Sequence, residues 1–156
     1  LGLASIAALR GNRAIGLYGM TKAALAQMAR NLAVEWGPQG VRANAIAPRA
    51  RTAMTADVFG DAPTLDDGKV DGLSPEHVVT LVQYLSSPAS EAVNGQLFIV
   101  YGPTVTLVAA PTAEKHFTAG SDAWAADDLG STMSQYFADR DPELGFSANA
   151  LMSSRD

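Results

Sequence analysis

The sequence has 156 residues, of which 47% are hydrophobic and 17% are charged. This composition is typical of a folded globular protein and excludes a disordered chain. There is no cysteine, which excludes disulfides, thiolate metal sites and a cysteine nucleophile; because this fits a reducing compartment, we predict a cytoplasmic protein. The formal net charge of −5 argues against nucleic acid as the main partner, and no apolar run is long enough to predict a membrane span.

The chain opens with a short strand, a loop, a helix and a second strand. Residues 1–4 have the pattern of a strand tail, and residues 11–16 have that of a glycine-bearing loop. Residues 17–36 predict a helix that is apolar on all sides, so we expect both of its sides to be buried. Its larger apolar residues recur at spacings of three and four: Leu25, Met28, Leu32 and Trp36. Residues 41–47 predict a strand that ends at Pro48.

A long loop, a second helix and a further strand come next. Residues 49–73 are rich in Gly, Asp, Thr and Pro and have no period, which is typical of a lid or binding loop. The helix that follows has Ser74 as its N-cap and Pro75 at its first position. Residues 95–101 predict a strand buried on both faces. Two weaker patterns come after it, a strand over 104–109 and a helix over 124–138.

This order of elements predicts an α/β fold. Helices that alternate with buried strands imply a parallel sheet, and a doubly wound, Rossmann-like domain consists of two such halves. We interpret residues 1–102 as the second half of such a domain and residues 103–156 as a partly ordered C-terminal extension. Because the chain opens at Leu1 without methionine, in an apparent strand, we expect a fragment that starts within a domain. The alternative is a complete small protein with a processed terminus.

Three residues carry the most specific chemistry. Tyr18 and Lys22 lie four apart in the predicted helix, so they share one face. A tyrosine phenol, with an ordinary pKa of about 10, is a poor base at neutral pH, and a nearby ammonium favours the phenolate. Such a pair can act as a base toward an alcohol or as an acid toward a ketone. Ser5, thirteen residues before Tyr18, can hydrogen-bond the same substrate oxygen.

The alternative for this pair is a core aromatic residue beside a solvated lysine. The chain has four tyrosines, so a lysine four residues after one of them can occur by chance and is a weak signal by itself. The serine at a fixed distance makes the coincidence much rarer. We therefore favour the catalytic interpretation of Ser5, Tyr18 and Lys22.

The run Ser5…Tyr18-Gly-Met-Thr-Lys22 resembles the active-site segment of the short-chain dehydrogenases/reductases, in which twelve residues separate a serine from a Tyr-x-x-x-Lys motif. The stretch Gly40-Val-Arg-Ala-Asn44-Ala-Ile-Ala-Pro48 is similar to the strand that ends in the family's Asn-x-x-x-Pro-Gly. The resemblance covers residues 1 to about 102, and its combined motifs are highly specific.

The resemblance implies an NAD(P)-dependent oxidoreductase that interconverts a secondary alcohol and a ketone. It implies that Tyr18 is the catalytic acid/base, that Lys22 activates it and binds the nicotinamide ribose, and that Ser5 orients the substrate oxygen. Backbone after the motif's proline contacts the nicotinamide in the family. The cofactor-binding residues predicted in this way are Tyr18, Lys22, Pro48, Arg49, Ala50 and Thr52. Family members commonly pair through the helix of the tyrosine and lysine, so we expect a homo-oligomer through residues 18–36.

Two departures from the family pattern matter. Arg49 stands where the family has glycine, and residues 47–55 look more like the reductase domain of peroxisomal multifunctional enzyme type 2 and its bacterial acyl-CoA- or steroid-acting relatives. This subgroup implies a 3-hydroxyacyl-CoA or a hydroxysteroid as substrate. The 156 residues also contain no Thr-Gly-x-x-x-Gly-x-Gly turn, which in the family holds the cofactor's pyrophosphate. We therefore expect a fragment without the N-terminal cofactor-binding half, inactive alone. Asn44 is expected to form a structural hydrogen bond.

Other interpretations stay open. The main alternative is a non-catalytic, truncated relative that acts as a partner subunit. A sugar-nucleotide epimerase or dehydratase would also keep the Tyr–Lys pair, but it fits the loop after Pro48 poorly. Arg49 and Arg51 are candidates for contacts to CoA phosphates, although we favour a solvated loop. His77 and His116 are isolated and have no metal-ligand spacing, so we predict no metal site.

Overall fold

The computed structural model describes residues 1–9, 13–66 and 68–140, which form two compact units, 1–109 and 110–140. The first unit contains, in chain order, β1 (Gly2–Leu3), α1 (Gly16–Trp36), β2 (Ala45–Arg49), α2 (Ala56–Phe59), α3 (Glu76–Ser86), β3 (Leu97–Tyr101) and β4 (Thr104–Val108). The second unit contains α4 (Ala126–Asp139). One-turn 3-10 segments lie at Ile6–Ala8, Gly37–Gln39, Ala53–Thr55 and Pro88–Ser90.

The sheet has four strands in the order β1-β2-β3-β4. The first three are parallel, whereas β4 pairs with β3 in the antiparallel sense. A tight hairpin through Gly102 and Pro103 joins β3 to β4, and the φ of 53° at Gly102 is one that glycine adopts without strain. The predicted α/β class with a parallel sheet is confirmed. The two weaker predictions, a strand over 104–109 and a helix over 124–138, are confirmed as β4 and α4.

The prediction that Pro48 ends the second strand is wrong. β2 begins later than expected and continues through Pro48 to Arg49. Asn44 and Ile46 accept backbone hydrogen bonds from the β1 segment, so the missing N–H of Pro48, two residues further on, would face the same side. β1 has already ended at Leu3, so the proline costs no hydrogen bond of the sheet.

Hydrophobic clusters lie on opposite faces of the sheet, because alternate residues of a strand point to opposite sides. The cluster under α1 consists of Ala4, Ala26, Ala29, Ala45, Ala47, Leu97, Ile99 and Val108. The cluster under α3 consists of Ile46, Leu81, Leu85 and Val100. β3 contributes to both, so the expected burial of this strand on two faces is confirmed.

Only one side of α1 is buried in this chain. Ala26 and Ala29 are buried against the sheet, whereas Leu17, Met20 and Val34 are exposed. The expectation that both sides are buried is therefore wrong for this chain. The sheet covers only the side that faces it, and the other side of α1 carries exposed apolar side chains in this single chain.

Asn44 connects the start of β2 to the turn before β3. Its side chain is buried; its amide donates to the carbonyl of Val93 at 2.8 Å, and the N–H of Gln96 donates to its Oδ1 at 2.9 Å. The guanidinium of Arg42 donates to the carbonyls of Val93 and Leu85 at 3.2 and 3.1 Å. The structural hydrogen bond expected of Asn44 is confirmed.

Asn44→Ala is expected to lower the free energy of unfolding by about 2–4 kcal/mol, because it removes two hydrogen bonds of a buried side chain and leaves the half-buried N–H of Gln96 without this partner. Asn31→Ala is the matched control: Asn31 is exposed and accepts a bond from the side chain of Gln27, so we expect a loss below about 0.5 kcal/mol. Urea unfolding of both variants measures the difference. Equal losses would contradict the structural role of Asn44.

The second unit is organised around one carboxylate. Arg140 Nε and Nη2 donate to the two oxygens of Glu114 at 2.8 Å each, and the hydroxyl of Tyr136 donates to the same carboxylate at 2.6 Å. The rings of Phe117 and Phe137 meet that of Tyr136 edge-on, with centroids 5.1 and 5.3 Å away. These contacts hold the C-terminal half of α4 against the segment that precedes the helix.

The hydrogen bonds from Arg140 and Tyr136 lower the pKa of Glu114 from 4.5 to about 2. Since the pKa is depressed in the folded state, the stabilising contribution is complete above pH 4.5 and is lost as the pH falls towards 2. We expect the amides of α4 to lose protection from hydrogen exchange over this range. Glu114→Gln is expected to start with lower protection and to show no such step, so the same step in this variant would contradict the assignment.

Candidate active site

The carboxyl ends of the parallel strands meet at one edge of the sheet. Ser5 follows β1 by two residues, Pro48 and Arg49 end β2, and Tyr101 ends β3 in register with Arg49. In open α/β sheets, ligands bind outside the carboxyl ends of the strands. The predicted serine and the predicted cofactor loop therefore lie at the edge where such a fold holds its ligand.

Tyr18 and Lys22 lie within the first two turns of α1 and on one face of it. Lys22 Nζ lies 5.6 Å from the centre of the Tyr18 ring and donates a hydrogen bond of 2.8 Å to the carbonyl of Leu3, the last residue of β1. An ammonium has three donors, so this bond fixes Lys22 beside the ring and leaves donors for a ligand. Tyr18 is 48% exposed, so a substrate oxygen can reach its hydroxyl.

Ser5 begins the 3-10 turn Ile6–Ala8. Its Oγ accepts a hydrogen bond of 3.2 Å from the N–H of Ala7, which caps this turn. The bond uses a lone pair of the hydroxyl, and the hydroxyl hydrogen can still be donated to a substrate oxygen. The cap thus holds the serine in one orientation at the end of β1.

Gly19 allows the serine segment to approach the helix of Tyr18. A Cβ on Gly19 would lie 2.9 Å from the carbonyl oxygen of Ala7, closer than real side chains come to backbone atoms. This glycine was not predicted as a site residue. Its position inside the Tyr-x-x-x-Lys motif was the signal available in the sequence.

The four cofactor-binding residues predicted near Pro48 span the end of β2 and the start of a structured loop. Pro48 and Arg49 still belong to β2, and the carbonyl of Ala50 accepts a bond of 3.0 Å from the hydroxyl of Thr55. Thr52 begins a 3-10 turn, and its N–H donates to Thr55 Oγ1 at 2.8 Å. The structure places all four beside the end of β2, where their backbone is held by local hydrogen bonds.

The two histidines lie in different units of the chain, His77 on α3 and His116 before α4. His77 Nε2 is 3.1 Å from the carbonyl of Asp71, and His116 is exposed in the second unit. Within residues 1–9, 13–66 and 68–140, no three His, Asp or Glu side chains are placed to hold a metal ion. In the same part of the chain, no helix is long and apolar enough to cross a membrane.

Comparisons with known proteins decide the family. A family model described as enoyl-(acyl carrier protein) reductase matches residues 1–102. A hydroxyacyl-CoA dehydrogenase of Mycobacterium tuberculosis is 54% identical over 135 residues, 86% of this chain and 43% of that protein. The chain belongs to the short-chain dehydrogenase/reductase family. The resemblance found in the sequence, including that to acyl-CoA-acting relatives, is confirmed.

Solved structures of short-chain dehydrogenases share the fold. A short-chain dehydrogenase from Mycobacterium avium matches 94% of this chain and 47% of its own, with a TM-score of 0.73 and 27% identity. A 4-hydroxyisoleucine dehydrogenase in complex with NADH matches 64% of this chain and 43% of its own, with a TM-score of 0.51 and 28% identity. The Rossmann-like fold class expected from the sequence is therefore confirmed.

The chain spans less than half the length of these relatives, 43% and 47% for the two mycobacterial proteins. A tropinone reductase homolog of Arabidopsis thaliana is 40% identical over 99 residues, 57% of this chain and 36% of that protein. The relatives are named as dehydrogenases and reductases. The short-chain dehydrogenase/reductase family to which the chain belongs is thus one of oxidoreductases.

Proposed function

We propose that the protein is an NAD(P)-dependent oxidoreductase that interconverts a secondary alcohol and a ketone. One observation carries this proposal: the ammonium of Lys22, bonded to the Leu3 carbonyl, lies 5.6 Å from the centre of the Tyr18 ring, at the edge of a short-chain dehydrogenase fold where such folds bind ligands. A positive charge beside an exposed phenol favours proton transfer by that phenol.

In the proposed reaction, Tyr18 takes the hydroxyl proton of the alcohol while a hydride leaves the carbon that bears this hydroxyl. Ser5 donates a hydrogen bond to the substrate oxygen and fixes its position, and Lys22 stabilises the negative charge that Tyr18 carries before it accepts the proton. In the reverse direction, Tyr18 returns the proton to the carbonyl oxygen. NAD or NADP, when bound, supplies the hydride acceptor or donor.

The residues at this edge fit a nicotinamide cofactor. Lys22 keeps donors for the hydroxyls of a ribose, and Tyr18 is exposed beside it. We propose that the backbone from Pro48 to Thr52, including Arg49 and Ala50, lines the nicotinamide. The 156 residues contain no glycine-rich turn for the pyrophosphate, so we expect them to be inactive unless another segment supplies one.

We propose a 3-hydroxyacyl-CoA as the substrate, with a hydroxysteroid as the second candidate. The acyl-CoA assignment is supported by the 54% identity with a mycobacterial hydroxyacyl-CoA dehydrogenase. The steroid assignment rests on the resemblance of residues 47–55 to the subgroup that acts on both classes. A cytoplasmic location stays a prediction.

The test uses the protein as its gene encodes it, incubated with NAD or NADP and a 3-hydroxyacyl-CoA. Absorbance of the reduced nicotinamide measures turnover. We expect turnover with the CoA ester and much less with the free 3-hydroxy acid, which is the control for CoA recognition. Turnover with a hydroxysteroid alone would transfer the assignment to the second candidate. No turnover with any secondary alcohol would refute the oxidoreductase.

The exposed face of α1 supports a further proposal, that the protein pairs with a second copy through this helix. Leu17, Met20 and Val34 are exposed along it, and large apolar side chains on one helix face are typical of an interface. A non-catalytic subunit would use the same face, so this interface is compatible with both functions.

Val34→Lys is expected to convert the dimer to a monomer, because it places a charge within the proposed apolar interface. Val58→Lys, at a similarly exposed position on α2, is the control and should leave the mass unchanged. Light scattering after gel filtration measures the mass. A monomer in the unchanged protein would refute the pairing.

A further inference from the structure

The side chain of Arg51 connects the two ends of the loop that follows β2. Its Nη1 donates to the carbonyls of Phe59 and Gly60, both at 2.5 Å, and its Nε pairs with Asp71 at 3.3 Å. Its backbone N–H donates to the carbonyl of Leu73 at 2.7 Å. The side chain is only 17% exposed, so the solvated loop favoured for this arginine is wrong. Its Nε and Nη1 groups already donate to acceptors within the protein, which argues against a role of Arg51 in binding CoA phosphates.

Arg49 holds the same loop against the sheet. Its guanidinium lies 5.4 Å from the ring centre of Phe59, at the end of α2, and 4.8 Å from that of Tyr101, at the end of β3. A cation placed against aromatic rings at these distances is attracted to both. Phe59 is therefore fixed twice, by its carbonyl on Arg51 and by its ring on Arg49.

The segment between these fixed points has its own local order. Thr52 and Thr55 form reciprocal hydrogen bonds across the 3-10 turn Ala53–Thr55, and α2 follows directly. Met54 is 95% exposed at the outside of this turn. Residues 52–60 thus form a loop that begins after the carboxyl end of β2 and is bonded back to Arg51 through Phe59 and Gly60. The loop therefore lies beside the edge of the sheet where such folds bind ligands.

We propose that Arg51 is a positioning residue that holds residues 52–60 in one closed shape and thereby selects substrates by the size of the group attached to the alcohol carbon. The inference rests on the proposed function, since it concerns the substrate side of the same site. A loop fixed at both ends presents one wall to the substrate. A released loop adjusts to groups of different length, so discrimination between them falls.

The first test compares Arg51→Met with Lys69→Met in the protein as its gene encodes it. Lys69 forms an ion pair of 2.8 Å with Asp66 in the same loop, but both side chains are largely exposed, so this variant is the matched control. The measurement is the ratio of kcat/KM for a long-chain and a short-chain 3-hydroxyacyl-CoA. We expect about a 10-fold change in this ratio, towards equality, for Arg51→Met, and no change for Lys69→Met.

The ratio separates positioning from loss of stability. A variant that unfolds in part lowers the amount of active enzyme equally for both substrates and leaves the ratio unchanged. Arg51→Lys keeps the charge with fewer and differently placed donors, so we expect it to restore the ratio in part. Asp71→Asn removes the ion pair and keeps the two carbonyl bonds. We expect Asp71→Asn to shift the ratio of kcat/KM values in the same direction as Arg51→Met, but by less. If Arg51→Met does not fold, Asp71→Asn is measured in its place.

The second test does not depend on turnover. Limited proteolysis near Met54 is expected to be about 10-fold faster in Arg51→Met than in the unchanged protein and in Lys69→Met, because opening of the loop exposes its backbone. Unchanged cleavage would overturn the closed loop. Faster cleavage with an unchanged substrate ratio would overturn the selection of substrates. If no alcohol is turned over by the unchanged protein, the proposed function fails and substrate selection fails with it, whereas cleavage still decides whether Arg51 closes the loop.

Discussion

Tyr18→Phe is expected to lower kcat by about 10²–10⁴-fold, because it removes the hydroxyl that exchanges the proton with substrate in the proposed reaction. The ring that lies 5.6 Å from Lys22 Nζ is kept, so the position of the lysine and the packing of α1 should not change. KM is expected to change little, since the lost interaction acts mainly in the transition state. Steady-state kinetics with the CoA ester, together with thermal unfolding, measures both parts of this expectation.

Tyr84→Phe is the matched control for this experiment. Tyr84 lies on α3 and has an exposure of 44%, close to that of Tyr18, so removal of its hydroxyl is an equivalent change elsewhere in the first unit. We expect its kcat to stay within about 2-fold of the unchanged protein, as is usual for surface substitutions. Equal activity of the Tyr18 and Tyr84 variants would exclude Tyr18 as the acid/base.

The pairing of Tyr18 with Lys22 could be predicted because it depends on helix geometry alone. Residues four apart meet on one face of any α-helix, and the apolar spacing of residues 17–36 was sufficient to predict the helix. The bond from Lys22 to the carbonyl of Leu3 could not be predicted in the same way. It joins residues nineteen positions apart and requires β1 to lie beside α1, which depends on the assembled sheet.

The loop of residues 49–73 shows where pattern reasoning fails. Its composition correctly suggested a largely irregular segment, but no apolar period indicated α2 or the role of Arg51. The contacts of Arg51 reach residues eight, nine and twenty positions away. They exist because the loop returns to its start, a property of the folded chain that composition does not encode. The prediction that β2 ends at Pro48 was wrong for a related reason. A strand tolerates proline where the neighbouring strand has already ended, and the local sequence does not show where that is.

Gly19→Ala is expected to lower kcat/KM by about 100-fold, the loss typical when catalytic groups shift by about 1 Å. A Cβ at this position would lie 2.9 Å from the carbonyl oxygen of Ala7, so the Ser5 segment and the helix of Tyr18 must separate. We also expect the free energy of unfolding to fall by about 1–3 kcal/mol, because the added Cβ strains the packing. Kinetics and thermal unfolding of the same variant measure both effects.

Gly16→Ala separates this close contact from the general effect of replacing glycine in a helix. Gly16 begins the same helix, and a Cβ there has nothing within 4 Å, so alanine should stabilise the protein by about 0.4–1 kcal/mol and leave activity unchanged. Both variants gain the same helix-forming side chain, so any difference between them reports the contact of Gly19 with Ala7. If both keep full activity, the spacing between the serine segment and the tyrosine helix does not limit the reaction. If only Gly19→Ala loses activity, the glycine inside the Tyr-x-x-x-Lys motif sets the position of Ser5 relative to Tyr18.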